Sequence, residues 1–237
     1  MTPTLYEWLR QSPLTGIFLT LLAYRIALSI SRRYHGHPLA NTVLVGAGLL
    51  IVSLLALGLS FDQYFRGASF IQFLLGPVTV ALAIPLYNNL ARLKRSAFAI
   101  LSSIVVGSVA GVASAVLIAV AFDMPPQIVL SLAPRSATTP IAIGVAEAIG
   151  GIPTLAAAFV IVTGIIGAVL AKPLLTLLRM NDDVVLGVAT GIAAHGIGTA
   201  RVFQISETAG AFAGLAMGLT GFVTAVVAPL LVHFLLS

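Results

Sequence analysis

The stretch APRSATTPIAIG, residues 133 to 144, places Pro134, Arg135, Ser136, Thr138, Thr139 and Pro140 within seven positions of an otherwise hydrocarbon-like chain. An arginine at the centre of a bilayer costs roughly 3 kcal/mol on insertion scales, and a broken helix leaves backbone groups that need partners. A chain that keeps both at one point is expected to pass something polar there.

The membrane setting follows from composition. Of 237 residues, 59% are hydrophobic and 8% charged, with a mean hydropathy of +1.10, whereas a soluble domain carries roughly 25% charge. Several apolar runs reach the ~20 residues of a spanning helix, and no room is left for a soluble domain. The expected fold is all-α: a polytopic membrane protein of six to eight segments, residues 1–237 forming one membrane domain. Residues 1–65 read as scaffold helices and 66–237 as a broken-helix core.

The net charge of +5 is a matter of topology. Arg32 and Arg33 follow one apolar run, and Arg92, Lys94 and Arg95 follow another, as positive-inside loops do. These clusters are expected in the cytoplasm, with the N-terminus and a 60–69 loop opposite. No basic patch for nucleic acid results. The absence of cysteine removes thiol chemistry and thiolate metal sites, and no metal or cofactor is expected. Glu7 and Arg10 precede a first helix at 14–31 that reads as retained, without a signal-peptide cleavage pattern.

Apolar segments are read at 14–31, 39–59, 70–91, 96–122, 126–149, 153–178, 184–204 and 210–235. Three are poor helices: 70–91 holds Pro77 and Pro85, 126–149 holds Pro134 and Pro140, and 184–204 holds GIAAHGIGTAR at 191–201. A cleaner helix follows each. Pro77 plus 57 is Pro134, Gly107 plus 57 is Gly164, Gly164 plus 57 is Gly221, and Thr138 plus 57 is His195. This order points to a unit of one broken segment and one intact helix, used three times, as in transporters with discontinuous helices. Whether a broken segment crosses or re-enters is left open by the residues.

Pro140 suits a helix's first turn, with Thr139 as its cap, so free N–H groups and a dipole end are expected at Thr138 and Thr139. Arg135 adds a planar cationic fork, and Ser136, Thr138 and Thr139 add hydroxyls. Together they read as a seat for a small organic anion. The plainer reading is that the hydroxyls satisfy broken backbone and that Arg135 snorkels or pairs with Glu147. In GIAAHGIGTAR, Gly196 and Gly198 permit close approach, His195 is titratable, Thr199 is placed to cap a half-helix and Arg201 follows. His195 there serves the substrate, a coupling proton, or simply an interhelical hydrogen bond. Asn41 and Tyr87-Asn88-Asn89 are weaker candidates, and Gly107, Gly111, Gly164, Gly167, Gly214, Gly218 and Gly221 read as helix contacts. No phosphate loop, HExxH or GxSxG is present, and no enzyme is expected.

ALAIPLYNNL (81–90), PRSATTPIAIG (134–144), IGGIPTLAA (149–157) and HGIGTAR (195–201), in that order, resemble the LrgB/CidB-like membrane proteins. Their plant relative forms the second half of the plastidal glycolate/glycerate translocator. The resemblance runs from Asn41 onward. It implies a multi-pass protein of the bacterial inner membrane working with a small LrgA/CidA-like membrane partner, in holin/antiholin-like control of murein hydrolase export and lysis. It also implies transport of small monocarboxylates such as pyruvate, glycolate or glycerate. The chain departs from the family pattern at Arg135, where lysine is common, and at Glu147, where a small residue is usual.

The leading expectation is a secondary transporter for small monocarboxylates, with Arg135, Ser136, Thr138 and Thr139 holding the carboxylate. His195, Gly196, Gly198, Thr199 and Arg201 would line the rest of the site, and Glu147 or His195 would carry a proton. A homodimer is a reasonable expectation for a carrier with a moving bundle. The alternative is a holin/antiholin-like regulator that transports nothing.

Overall fold

The computed structural model describes residues 7, 10, 12–34, 40–74, 77, 80, 81 and 83–236, and no strand occurs among them. The chain divides into two compact units, Met1–Ala81 and Leu82–Ser237.

In the first unit, α1 (Pro13–Arg33) opens with proline behind the cap Ser12. The second helix, α2 (Thr42–Ala56), is capped by buried Asn41, whose Oδ1 accepts from the N–H groups of Val43 (2.8 Å) and Leu44 (3.3 Å). Asn41 therefore starts a helix. Residues 60–69, expected as a loop, instead begin α3 (Phe61–Phe73) through a reciprocal Ser60/Gln63 capping box. The polarity of Asp62, Gln63 and Arg66 belongs to the open turns of a helix, and Ser-x-x-Gln was its start signal. The segment 70–91 straddles both units, and five of its residues (75, 76, 78, 79 and 82) lie outside those described. Pro77 is helical and exposed.

The second unit holds α4 (Ala83–Asn88), α5 (Leu90–Ala121), α6 (Pro126–Leu132), α7 (Thr139–Ala148), α8 (Pro153–Leu177), α9 (Asp183–Phe203) and α10 (Glu207–Leu236). Pro85 is buried in α4, and its carbonyl accepts from Asn89 Nδ2 at 2.9 Å. By length and composition α1, α5, α8, α9 and α10 can each cross a membrane, while α2 and α7 are shorter apolar helices. The chain is a multi-pass α-helical membrane protein.

Two of the broken segments turn back on themselves. After α7 the chain returns to α6: the Ile152 N–H donates to Ser131 Oγ at 2.7 Å, and a Cβ on Gly151 would lie 2.9 Å from the Ser131 nitrogen. A straight segment would separate residues 131 and 152 by about 30 Å at 1.5 Å per residue. In α9, His195 has φ 38° and ψ −134°, which interrupts the helix. Beyond it, Gly198 lies against Thr190, and Ser206 Oγ at the far end donates to Asp183 Oδ2 at the start, 2.6 Å away. Gly187 abuts Ala209 and Gly191 abuts Ala213, so the first arm of α9 runs parallel to the start of α10. Both α6–α7 and α9 are helical hairpins, so the length of α9 does not correspond to one straight helix.

The hairpins enter from opposite ends. Ile100 and Ile104 of α5 share a core with Phe212 and Ala216 of α10, while Val112, Val116 and Ala119 share one with Ala228 and Val232. Thus α5 and α10 are parallel. The base of α9 (Val184, Val188) joins the first core, and the α6–α7 hairpin (Val129, Val145) joins the second. Of the seven Lys and Arg residues in this unit, Arg92, Lys94, Arg95, Lys172, Arg179 and Arg201 lie toward the α9 end, and Arg135 is the seventh. The other end carries Asp123, Glu147 and His233 and no lysine or arginine.

The 57-residue offset falls on these elements. It superimposes the α6–α7 tip, at Thr138, on the α9 tip, at His195. The glycine notch of each following helix receives the other hairpin: a Cβ on Gly164 of α8 would lie 2.6 Å from His195 Cε1, and one on Gly221 of α10 would lie 2.7 Å from Ile141 Cδ1.

Ser131 ties the first hairpin shut, donating to the Gln127 carbonyl (2.6 Å) while accepting from Ile152. Ser131→Ala leaves the part-buried Ile152 N–H without this partner, so a loss of about 1 kcal/mol of stability is expected. A lowered melting temperature in detergent, against an unchanged value for Ser114→Ala on half-buried α5 surface, checks it.

Candidate functional site

Residues 133–138 form the tip of the first hairpin. The Arg135 N–H donates to the Leu132 carbonyl (3.1 Å) and the Ala137 N–H to that of Pro134 (2.9 Å). Neither turn bond uses a side chain, and the hydroxyls of Ser136, Thr138 and Thr139 take no part in them. Helix α7 begins one residue earlier than expected: Thr138 is the cap, with extended φ/ψ and no side-chain capping bond, and Pro140 lies in the first turn. Pro134 is fully buried in the tip.

Arg135 reaches α5. Its Nη1 donates to the Gly111 carbonyl at 2.7 Å, leaving the rest of the fork's five donors. Gly111 stands ten residues before the end of α5, about 15 Å along the axis. The guanidinium therefore meets α5 well inside the helix, away from both of its ends. The Arg135–Glu147 pair that the sequence allowed is not formed among the described residues. Glu147 is exposed at the far end of α7, about 12 Å of helix from the tip, so the pair would require the helix to unwind.

Arg135 and Ser136 line a cleft of about 610 Å³ between α5, α8 and α9. Gly107, Gly111 and Thr163 also line it, together with aliphatic residues of α8 and of the first arm of α9. Sequence reading gave Gly107 and Gly111 to helix packing alone. A cation in a broken segment needs an acceptor, and a carbonyl beside a residue without Cβ is the one most open to it; that signal was available.

The second tip comes close to the first through Val160 of α8. Val160 packs with Ala137 and Ala142, and its carbonyl accepts from His195 Nε2 at 2.8 Å. A carbonyl only accepts, so Nε2 carries hydrogen, and in the neutral ring Nδ1 is left as acceptor. His195 is buried, with a left-handed φ that costs ~1–3 kcal/mol for a non-glycine residue. Thr199 Oγ1 donates to the His195 carbonyl at 2.8 Å, one turn back along the returning arm. Gly198 abuts Thr190 and Ala194, Gly196 faces Met217, and Arg201 is half-buried near the hairpin base. Of the expected site residues, the cleft gathers Arg135 and Ser136. Thr138 and Thr139 start α7 beside it, while His195, Gly196, Gly198, Thr199 and Arg201 build the opposing hairpin.

The sequence profile described as the LrgB-like family matches residues 20–234. The chain belongs to the LrgB-like family. It is 35% identical over 222 residues to uncharacterized protein YwbG of Bacillus subtilis (strain 168), covering 94% of this chain and 98% of that protein. It is also 35% identical over 224 residues to antiholin-like protein LrgB of Bacillus mycoides (strain KBAB4), covering 94% and 97%. The Bacillus cereus (strain B4264) protein of the same name gives the same identity and coverage. No solved structure matches the chain. In this member of the LrgB-like family, PRSATTPIAIG builds the first tip and α7, and HGIGTAR builds the second tip and its returning arm. IGGIPTLAA makes the return into α8, and residues 83–90 of ALAIPLYNNL form α4 and the turn into α5.

Proposed function

We propose that this LrgB-like protein is a secondary carrier of small monocarboxylates of the pyruvate, glycolate and glycerate class. The observation that carries the reading is Arg135, held against the interior of α5 at the tip of one helical hairpin beside a cleft, with a second hairpin entering from the opposite end of the unit. Broken helices from inverted units meeting near the midplane are a recurrent carrier design. Arg135 gives the carboxylate a forked partner, Ser136 and the start of α7 add donors, and His195 holds the opposing tip in register. The basic end of the second unit faces the cytoplasm by the positive-inside rule, in a bacterial inner membrane. A small LrgA/CidA-like membrane protein is the proposed partner, and a homodimer the proposed assembly. Purified protein in liposomes preloaded with pyruvate should show saturable counterflow of labelled pyruvate. Linear, non-saturating leakage would overturn the proposal.

The relatives named antiholin-like protein favour a second reading. There the chain regulates murein hydrolase export and lysis without moving a substrate, and the polar tips serve assembly. Altered autolysis in cells together with no counterflow in liposomes would support it.

A further inference from the structure

A second cleft, of about 450 Å³, opens at the basic end of the second unit. Its mouth is the Arg92–Asp182 ion pair, half-exposed on both sides, and Ser96 and Ser103 lie along it. Asp182 also caps α9, accepting from the N–H groups of Val184 (2.7 Å) and Val185 (3.2 Å), so the pair fastens the hairpin base to the start of α5. This cleft and the one holding Arg135 share two lining residues, Ala189 and Ile192 of α9. Between them Ile192 presses on α5 where the helix has no side chain: a Cβ on Gly107 would lie 2.9 Å from Ile192 Cγ2.

On α5 the lining residues Arg92, Ser96, Ala99, Ser103, Gly107 and Gly111 recur every three or four positions, which is one face of a helix. The face runs from the mouth to the carbonyl that holds Arg135, 19 residues or about 28 Å of axis. It carries charge at the mouth, hydroxyls along the way and glycine at depth. A small hydrated anion needs such an order: polar walls for its shell, then enough room to exchange that shell for a fork.

We propose that this face of α5 is the route by which small organic anions pass between the basic end and Arg135, and that Ile192 on Gly107 is its gate. The proposal rests on the carrier reading and names the path that serves the same site. The gate residue belongs to the first arm of the α9 hairpin, so a small displacement of that arm from α5 would lift Ile192 from its glycine seat and join the two clefts. The ion pair at the base would then be the pivot.

The chain lacks cysteine, so Ser103→Cys and Thr163→Cys can each report as the sole thiol, one on the mouth side of the gate and one in the Arg135 cleft. Full-length protein in vesicles with the basic end outward is treated with a membrane-impermeant anionic thiol reagent. The route predicts ready labelling at Ser103→Cys and slow labelling at Thr163→Cys. Adding Ile192→Ala should raise the Thr163→Cys rate about tenfold by favouring the open state, and leave the Ser103→Cys rate within about twofold. Ile192→Val, a milder truncation, should fall between and guards against misfolding of the alanine variant. An unreactive Ser103→Cys, or a Thr163→Cys rate indifferent to Ile192, overturns the gate. Pyruvate counterflow is measured on the cysteine-free parent: flux with the wrong labelling pattern removes the route alone, and the right pattern without flux removes the carrier reading.

Discussion

Arg135→Ala is expected to abolish measurable monocarboxylate binding and uptake. Truncating one partner of a desolvated charge pair costs roughly 2–5 kcal/mol, which is about thirtyfold to several thousandfold in affinity. Arg135→Lys keeps the charge and loses the planar geometry, so an intermediate loss of about tenfold is expected. Both variants also lose or weaken the bond to the Gly111 carbonyl, which by itself lowers stability by roughly 1.5–3 kcal/mol. Melting temperature without ligand must therefore be measured first. The decisive quantity is the pyruvate-dependent rise above that baseline, which reports occupancy of the folded state. A ligand-dependent rise of parental size in Arg135→Ala would remove the arginine from the site.

Gly191→Val should prevent the second unit from folding stably. A Cβ at Gly191 would collide with the Ala213 carbonyl, and one at Gly187 with the Ala209 carbonyl. Those are backbone atoms of α10 and cannot swing aside as a side-chain tip does. Overpacking typically costs 1–3 kcal/mol and more where backbones must part, so even Gly191→Ala should lower the melting temperature. Gly218→Ala is the matched comparison, since a Cβ there meets nothing within 4 Å. Replacing glycine inside a helix gains up to ~1 kcal/mol of propensity, so that variant should melt at or above the parent. A parental melting temperature for Gly191→Ala would show that the first arm of α9 does not lie along the start of α10. The reversal at His195 would then be wrong.

The breaks themselves were legible. Pro134 and Pro140 bracket the first tip, and glycines bracket His195, because helix interruption is a local matter of missing N–H groups and tolerated φ. The 57-residue offset was legible too, since it laid one tip on the other. The direction of the chain after each break was not. That direction is fixed by contacts some twenty residues apart, Ser131 with Ile152 and Asp183 with Ser206, and neither pair has a spacing that announces it. The acceptor for Arg135 was missed for a related reason. Charge reasoning sought an acid and found Glu147, whereas the fold supplies a glycine carbonyl twenty-four residues upstream. His195 shows a different limit: its ring hydrogen-bonds to a neighbouring helix, an option composition weighed beside substrate contact without any means of separating them.

Each hairpin-plus-helix unit advances the chain across the bilayer once, because the hairpin returns to the side it left. Copying such a unit head to tail therefore yields a second copy standing upside down, with no change in the order of its residues. Two copies restore the original sense and one does not. An ancestor or an engineered relative could lose a pair of units and keep its remaining helices upright, whereas the loss of a single unit would turn everything after it over.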